Sequence, residues 1–180
     1  LDLHLLILKS EHFYHNYQNL NLNPKYLEFQ IYTFHNFLAK NQNFQYKLTT
    51  PKNSKEVFAH IINPKNWWIG LYHETIEGKS DDLNDEFSFR AGDGVHYSYQ
   101  KLIDLLPDKK IVWLVTECNL SFLKNTNEWT GTKICFDIEQ VNNKTKITFT
   151  HNGLNPLMEC YGGCSNAWSK YLQNLEEHLR

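Results

Sequence analysis

The stretch FTHNGLNPLMECYGGCSNAW, residues 149–168, sets a histidine, a carboxylate and two thiols close together along the chain. His151, Glu159, Cys160 and Cys164 are residue types that hold metal ions or build a thiol nucleophile. Cys160 and Cys164, spaced i and i+4, share one face if the segment is helical. A structural zinc site needs four N or S ligands at about 2.0–2.3 Å, and Cys118 is the remaining candidate. Cys118 and His151, however, fall on strands separated by a third strand, about 9–10 Å apart at two strand spacings. That is too far for side chains this short, so neither a metal nor another cofactor is expected. A Cys–His pair can lower a thiol pKa, but no oxyanion hole is evident, and Glu159 and Glu128 are the only orienting groups on offer. A disulfide within one helical turn is sterically poor. The remaining reading makes His151, Thr130, Thr132 and Cys118 polar groups on the wall of a cavity, with no catalytic residue assigned.

Such a wall needs strands and a helix to carry it. NFQYKLTT is a strand candidate ending at Pro51, and Asn53 three residues before Glu56 forms a capping-box signature. Val57, Phe58, Ile61 and Ile62 follow at helical spacing, up to Asn63–Pro64. NWW and Gly70 make the next turn. Six strand candidates then succeed one another: YHETIEG, DEFSFRA, VHYSYQKLIDLL, KIVWLVTECNLSF, EWTGTKICFDIEQ and KTKITFTHNG. A long helix from about Pro156 closes the chain. Cys160, Cys164, Trp168, Tyr171, Leu172, Leu175 and Leu179 lie on one face of it. Gly162 and Gly163 each cost roughly 1 kcal/mol against Ala in mid-helix, which a bend or a close approach to the sheet would explain. The order points to one antiparallel α+β domain.

Alternation along paired strands predicts which residues share a face. A two-residue turn at Asn142–Asn143 opposes Ile138 to Ile147, Phe136 to Phe149 and Ile134 to His151, and turns His151 inward. A three-residue loop at 124–126 pairs Thr116 with Ile134, Cys118 with Thr132, and Leu120 with Thr130. The GDG turn opposes Phe89 to Tyr97 and Phe87 to Tyr99. The expected inner wall therefore carries Phe87, Phe89, Tyr97, Tyr99, Val112, Leu114, Thr116, Cys118, Thr130, Thr132, Phe136, Phe149 and His151. Cys160, Cys164 and Trp168 face it from the helix. By the same parity Ser88, Arg90, His96, Ser98, Gln100, Trp113 and Trp129 fall on the outer face.

WW at 67–68, IEG at 76–78, VWLVTE at 112–117, EWTGT at 128–132, FTHNGL at 149–154, ECYGGC at 159–164 and Trp168 form a familiar set. Together they resemble the START-like, Bet v 1-like superfamily (SRPBCC), in the branch named for the activator of the heat-shock protein 90 ATPase. The resemblance spans roughly residues 43–180. It implies a helix-grip fold: a curved seven-stranded antiparallel sheet around a long C-terminal helix, with two short helices after the first strand. It also implies a cavity for hydrophobic small molecules or lipids, some branches being cyclases or hydroxylase components. The namesake stimulates a chaperone ATPase. One departure is Asn84, in LNDEFSFR, where the family usually has Gly.

Residues 1–42 stand apart. The first 40 lack Gly, Val, Arg, Met, Cys and Trp and are rich in Asn, Tyr, His, Phe and Leu. This bias reads as an extension that is not native or is poorly ordered, ahead of a domain at 43–180. Leu27, Ile31, Phe34 and Leu38 have helical spacing, while Leu27, Phe29 and Ile31 alternate as in a strand.

A net charge of −2 and a pI near 6.5, with no basic run, disfavour nucleic acid and anionic membranes as partners. No stretch reaches the roughly 18 apolar residues of a membrane span, and four unpatterned cysteines suit free thiols in the cytoplasm. The expectation is a cytoplasmic, non-enzymatic binding protein for a hydrophobic small molecule or lipid. The alternatives are a chaperone ATPase cofactor or homodimer acting through protein contacts, and a cavity enzyme with His151 as base.

Overall fold

A computed structural model describes residues 24–40 and 42–180. The chain divides into two units, Leu1–Leu38 and Ala39–Arg180. The expectation of poor order across residues 1–42 falls mainly on positions outside the described residues. Within the first unit the helical spacing prevails over alternation: helix α1 begins at Pro24 and runs to Lys40 (Pro24–Lys40), with Phe29, Tyr32 and Phe34 exposed.

The second unit runs β1 (Phe44–Thr50), α2 (Ser54–Ile61), a 3₁₀ turn (Pro64–Asn66), β2 (Thr75–Gly78), β3 (Glu86–Ala91), β4 (His96–Leu106), β5 (Lys110–Leu120), β6 (Lys133–Val141), β7 (Lys144–Asn152) and α3 (Tyr161–His178). The strands form one antiparallel sheet in the order β1-β7-β6-β5-β4-β3-β2. This is the helix-grip architecture, with α3 against the sheet's inner face. The capping box opens α2: the Glu56 N–H donates to Asn53 Oδ1 at 2.9 Å, and the Asn53 N–H donates to Glu56 Oε2 at 3.1 Å. It turns Val57 and Ile61 into the core, both fully buried. Asn84 has a left-handed φ of 75°, a conformation that glycine adopts without steric cost.

The β6–β7 hairpin has the expected register, with Ile138 opposite Ile147, Phe136 opposite Phe149 and Ile134 opposite His151. Two other hairpins differ. The GDG segment is part of a four-residue loop, because Ala91 pairs with His96 and Val95 also belongs to the turn. Gly92, Asp93 and Gly94 all have positive φ there (58°, 56° and 92°), winding the chain more tightly than a three-residue turn. One extra loop residue flips every side chain that follows. Phe89 therefore pairs with Ser98, and Phe87 with Gln100. His96, Ser98 and Gln100 face inward, while Tyr97 and Tyr99 face outward, correcting their placement on the inner wall. Arg90 lies over the Tyr97 ring at 4.4 Å, and the Tyr99 hydroxyl donates to Glu86 at 3.3 Å.

The β5–β6 connection is also longer than expected, since Trp113 opposes Ile134 and residues 121–132 lie between the strands. Within β5, Tyr99 opposes Glu117 but Gln100 opposes Val115, leaving Thr116 as the extra residue of a β-bulge. Thr116 is consequently exposed, with its hydroxyl donating to the Tyr99 carbonyl. Ile111, Trp113 and Val115 point inward before the bulge, and Cys118 and Leu120 after it. Val112 and Leu114 lie outside the core cluster. Trp113 and Trp129, expected on the outer face, are 0% and 2% exposed.

Candidate functional site

His151 reaches the interior because its register partner Ile134 does. It is fully buried, and both ring nitrogens are engaged. The Trp168 indole N–H donates to Nδ1 at 2.9 Å. An indole nitrogen only donates, so the imidazole proton sits on Nε2 and points at Thr132 Oγ1, 2.9 Å away. The Thr132 hydroxyl in turn donates to the Trp129 carbonyl at 2.6 Å. Burial first, then the nearby His96, push the His151 pKa down to about 3. A neutral ring with no free nitrogen positions Trp168 and the 129–132 turn. Its Nδ1 lone pair is taken by the Trp168 indole.

The thiols are similarly engaged. The Trp129 indole donates to Cys160 Sγ at 3.3 Å, and the hydrogen-bonded Cys164, followed by burial, pushes the Cys160 thiol well above its ordinary range. A thiol held protonated is a poor nucleophile. Glu128 accepts the N–H groups of Glu159 (2.7 Å) and Cys160 (3.0 Å), so it caps the start of α3 from the 121–132 connection. The Cys118 thiol donates to the Thr126 carbonyl at 3.4 Å and accepts from the Thr130 hydroxyl at 3.6 Å, with Thr130 itself exposed. Among the described residues no three His, Cys, Asp or Glu side chains are grouped to hold a metal ion.

Much of the space between sheet and helix is occupied by tryptophan. Trp67 and Trp68 stack with centroids 5.8 Å apart and an 11° interplanar angle. Trp68 lies 4.2 Å from Phe89 and 4.7 Å from Trp168. Trp67 meets Phe136 at 5.3 Å, and Trp168 covers Phe149 at 4.7 Å. Phe136 and Phe149 are thus packed core, as is Phe87, edge-on to Trp113 at 5.7 Å.

Beyond the stack a cleft of about 230 Å³ remains, between the β3–β4 end of the sheet and α3. Trp68, Phe89, His96, Trp129, Trp168 and Tyr171 form its walls. Tyr72, Val95 and Phe122, all substantially exposed, stand at its mouth. Among the described residues no Lys, Arg, Asp or Glu lines it. Gly163 also faces the cleft, and a Cβ built on Gly162 or Gly163 would meet nothing within 4 Å. The two glycines therefore leave open space, which answers against a close approach to the sheet, one of the two explanations offered by the sequence. One edge is fixed by Glu74, which accepts the Tyr171 hydroxyl and the backbone N–H groups of Gly70, Leu71 and Tyr72. Burial raises the Glu74 pKa, but the Tyr171 hydroxyl and those N–H groups outweigh it and hold the carboxyl below its usual range.

Of the residues expected from alternation, Phe89, Cys164 and Trp168 line this cleft. His151, Thr132 and Cys160 lie behind Trp129 and Trp168, and Tyr97, Tyr99, Thr116 and Thr130 face away or are exposed. Trp68, His96, Phe122 and Trp129 were not foreseen. The adjacent tryptophans at 67–68 are a visible signal, since so much apolar area seldom remains in water. Nothing in the alternation of β4 marks His96 as internal.

Comparison with known proteins gives a consistent picture. The family described as Activator of Hsp90 ATPase homolog 1-like protein matches residues 53–180. No curated protein gives a significant match. The solution structure of the Aha1 dimer from Colwellia psychrerythraea is similar, with a TM-score of 0.60 at 22% identity, covering 77% of this chain and 96% of that one. A protein from Arthrobacter aurescens superposes with a TM-score of 0.61 at 12% identity, over 77% of this chain and 86% of that one. One from Nitrosospira multiformis does so with 0.61 at 11% identity, over 77% and 97%. At these identities the structural likeness speaks for the fold.

Proposed function

The chain belongs to the Activator of Hsp90 ATPase homolog 1-like family, and from that footing we propose that it is a non-catalytic binding protein for a small hydrophobic molecule. The observation that supports this most is the cleft beside Trp68 and Trp168, walled by aromatic rings, free of charged side chains and open through an exposed apolar mouth. Apolar hollows with few polar groups are ordinary ligand sites. The engaged nitrogens of His151 and the protonated Cys160 thiol support a role without chemistry at those groups. The cytoplasm is the compartment we propose, supported by four cysteines left as free thiols. Among the described residues no helix is long and apolar enough to cross a membrane.

Native mass spectrometry of the protein purified from its own host, with titration of hydrophobic compounds followed by tryptophan fluorescence, tests this reading. A bound species or micromolar quenching is expected, and Gly163→Leu, which fills the open side of the cleft, should abolish it. An empty protein that no compound quenches would overturn the proposal. The family description also supports a second reading, a protein–protein role beside a chaperone or a second copy of the chain. Stimulation of a chaperone ATPase that survives Gly163→Leu would favour that reading over the first.

A further inference from the structure

The start of α3 sets two thiols side by side. The Cys164 N–H donates to the Cys160 carbonyl at 2.8 Å, so the residues stand one helical turn apart and their side chains share a face. The two thiols hydrogen-bond to one another, and the Trp129 indole N–H donates to Cys160 Sγ at 3.3 Å. Cys160 and Cys164 keep 3% and 5% exposure, and Cys164 lines the cleft, so the pair is reached from its open mouth. Gly162 and Gly163 lie between them, and a Cβ at either would meet nothing within 4 Å. The other two cysteines are placed differently. The Cys118 thiol is engaged by the Thr126 carbonyl and the Thr130 hydroxyl. Cys135, between the buried Ile134 and Phe136, lies on the opposite face of the sheet.

From this pair we infer that α3 carries a binding site for trivalent arsenic, taken up as its neutral oxyacid and held by Cys160 Sγ and Cys164 Sγ. The site goes beyond the hydrophobic-ligand reading and does not depend on it. Charge and coordination number select the ligand. A structural zinc ion takes four ligands, and among the described residues no three His, Cys, Asp or Glu side chains are grouped. Monovalent copper between two thiolates carries a net negative charge. Among the described residues no Lys or Arg lines the cleft to offset it, and burial of an unpaired charge is costly. Divalent mercury gives a neutral adduct but spreads its two sulfurs to opposite sides, whereas these thiols stand in contact, as a pyramidal centre requires. Arsenous acid meets both conditions. Two S–H and two As–O bonds break, two As–S and two O–H bonds form, and the thiol protons leave in two waters. Arsenic stays trivalent and keeps its third hydroxyl, so no oxidant or reductant takes part. The adduct is uncharged, and the Trp129 N–H still has the Cys160 sulfur as its acceptor.

The test is titration of the full chain with sodium arsenite, followed by native mass spectrometry and tryptophan fluorescence. One arsenic per chain is expected, with a change in emission because Trp129 adjoins the site. Cys160→Ala and Cys164→Ala should each weaken binding about 100-fold or more, because a single thiol loses the second, intramolecular attachment. Cys118→Ala and Cys135→Ala should leave it unchanged. On the wild-type chain, the dithiol dimercaprol should strip the arsenic, and glutathione at equal thiol concentration should not. The absence of an arsenic adduct, binding that survives Cys164→Ala, or removal by glutathione as readily as by dimercaprol would each overturn the inference. The wild-type competition decides the matter even if a variant does not fold. Hydrophobic compounds that bind a chain indifferent to arsenite would leave the small-molecule reading standing and remove this one.

Discussion

The two histidines that meet the Trp129 ring edge-on inhabit the same interior under opposite conditions. His151, at the closed end, is locked between Trp168 and Thr132, and Phe136 and Phe149 pack nearby against Trp67 and Trp168. His96, at the open end, borders a hollow and keeps an unfilled nitrogen. Both are neutral because both are buried. Neutrality alone thus says nothing about role; what separates structural from available imidazole is whether its hydrogen bonds are already made.

The widest expected contrast between the two ends is in stability. Trp67→Ala removes a buried ring that contacts Trp68, Phe136 and Trp168 and leaves the Ile61 carbonyl without its indole donor. It should cost about 3–5 kcal/mol, read as a lowered urea midpoint at unchanged slope. Phe122→Ala at the mouth, where the ring is 54% exposed, should change stability by no more than about 0.5 kcal/mol while weakening ligand binding. Comparable losses at both ends would break the distinction between packed end and open end.

Acid should act through both histidines together. In the unfolded chain each titrates near 6.5, whereas in the folded protein burial holds His96 at about 4 and His151 at about 3. The unfolded state therefore binds protons that the folded state refuses, and stability falls as pH drops below about 6.5. The fall is about 1.4 kcal/mol per pH unit per histidine, levelling off for each near its folded value. Between pH 7.5 and pH 5 the pair should remove about 4 kcal/mol, measurable by urea unfolding at each pH. A flat profile over that range would show that one or both rings are accessible to protons in the folded state.

A smaller effect is expected at the cap. Glu128→Ala strips two N–H groups at the start of α3 of their acceptor and should cost about 1–2 kcal/mol. Because Cys160 and Trp129 adjoin this cap, a shift in tryptophan emission should accompany the loss. Smaller again, Gly163→Ala should stabilise the helix by about 0.5–1 kcal/mol, since the new methyl group meets open space. Destabilisation there would mean that α3 lies closer to the sheet than the cleft implies.

The sequence carried its information unevenly. Strand and helix order, the capping box at Asn53 and Glu56, the apolar face of α3 and the inward turn of His151 were all legible, because each depends on local spacing. The β6–β7 register was legible too, since its turn is the two-residue Asn142–Asn143 kind that fixes pairing unambiguously. The β3–β4 and β5–β6 registers were not. In HYSYQ, tyrosines alternate with His, Ser and Gln, so the apolar pattern itself argues for the wrong face. What sets that face is a loop one residue longer than GDG suggests and a bulge at Thr116, both settled by long-range packing around Trp113 and Trp129.

Local chemistry along the chain thus specified which elements exist and which residues cap them, because propensities and hydrogen bonds between near neighbours act within a few residues. The position of the cleft, the three buried tryptophans that bound it and the unpaired nitrogen of His96 emerged from side chains far apart in sequence competing for one enclosed volume. A one-residue change in register reassigns every side chain of a strand to the opposite face at no local cost. That choice has a definite energy only when the opposing layer is in place.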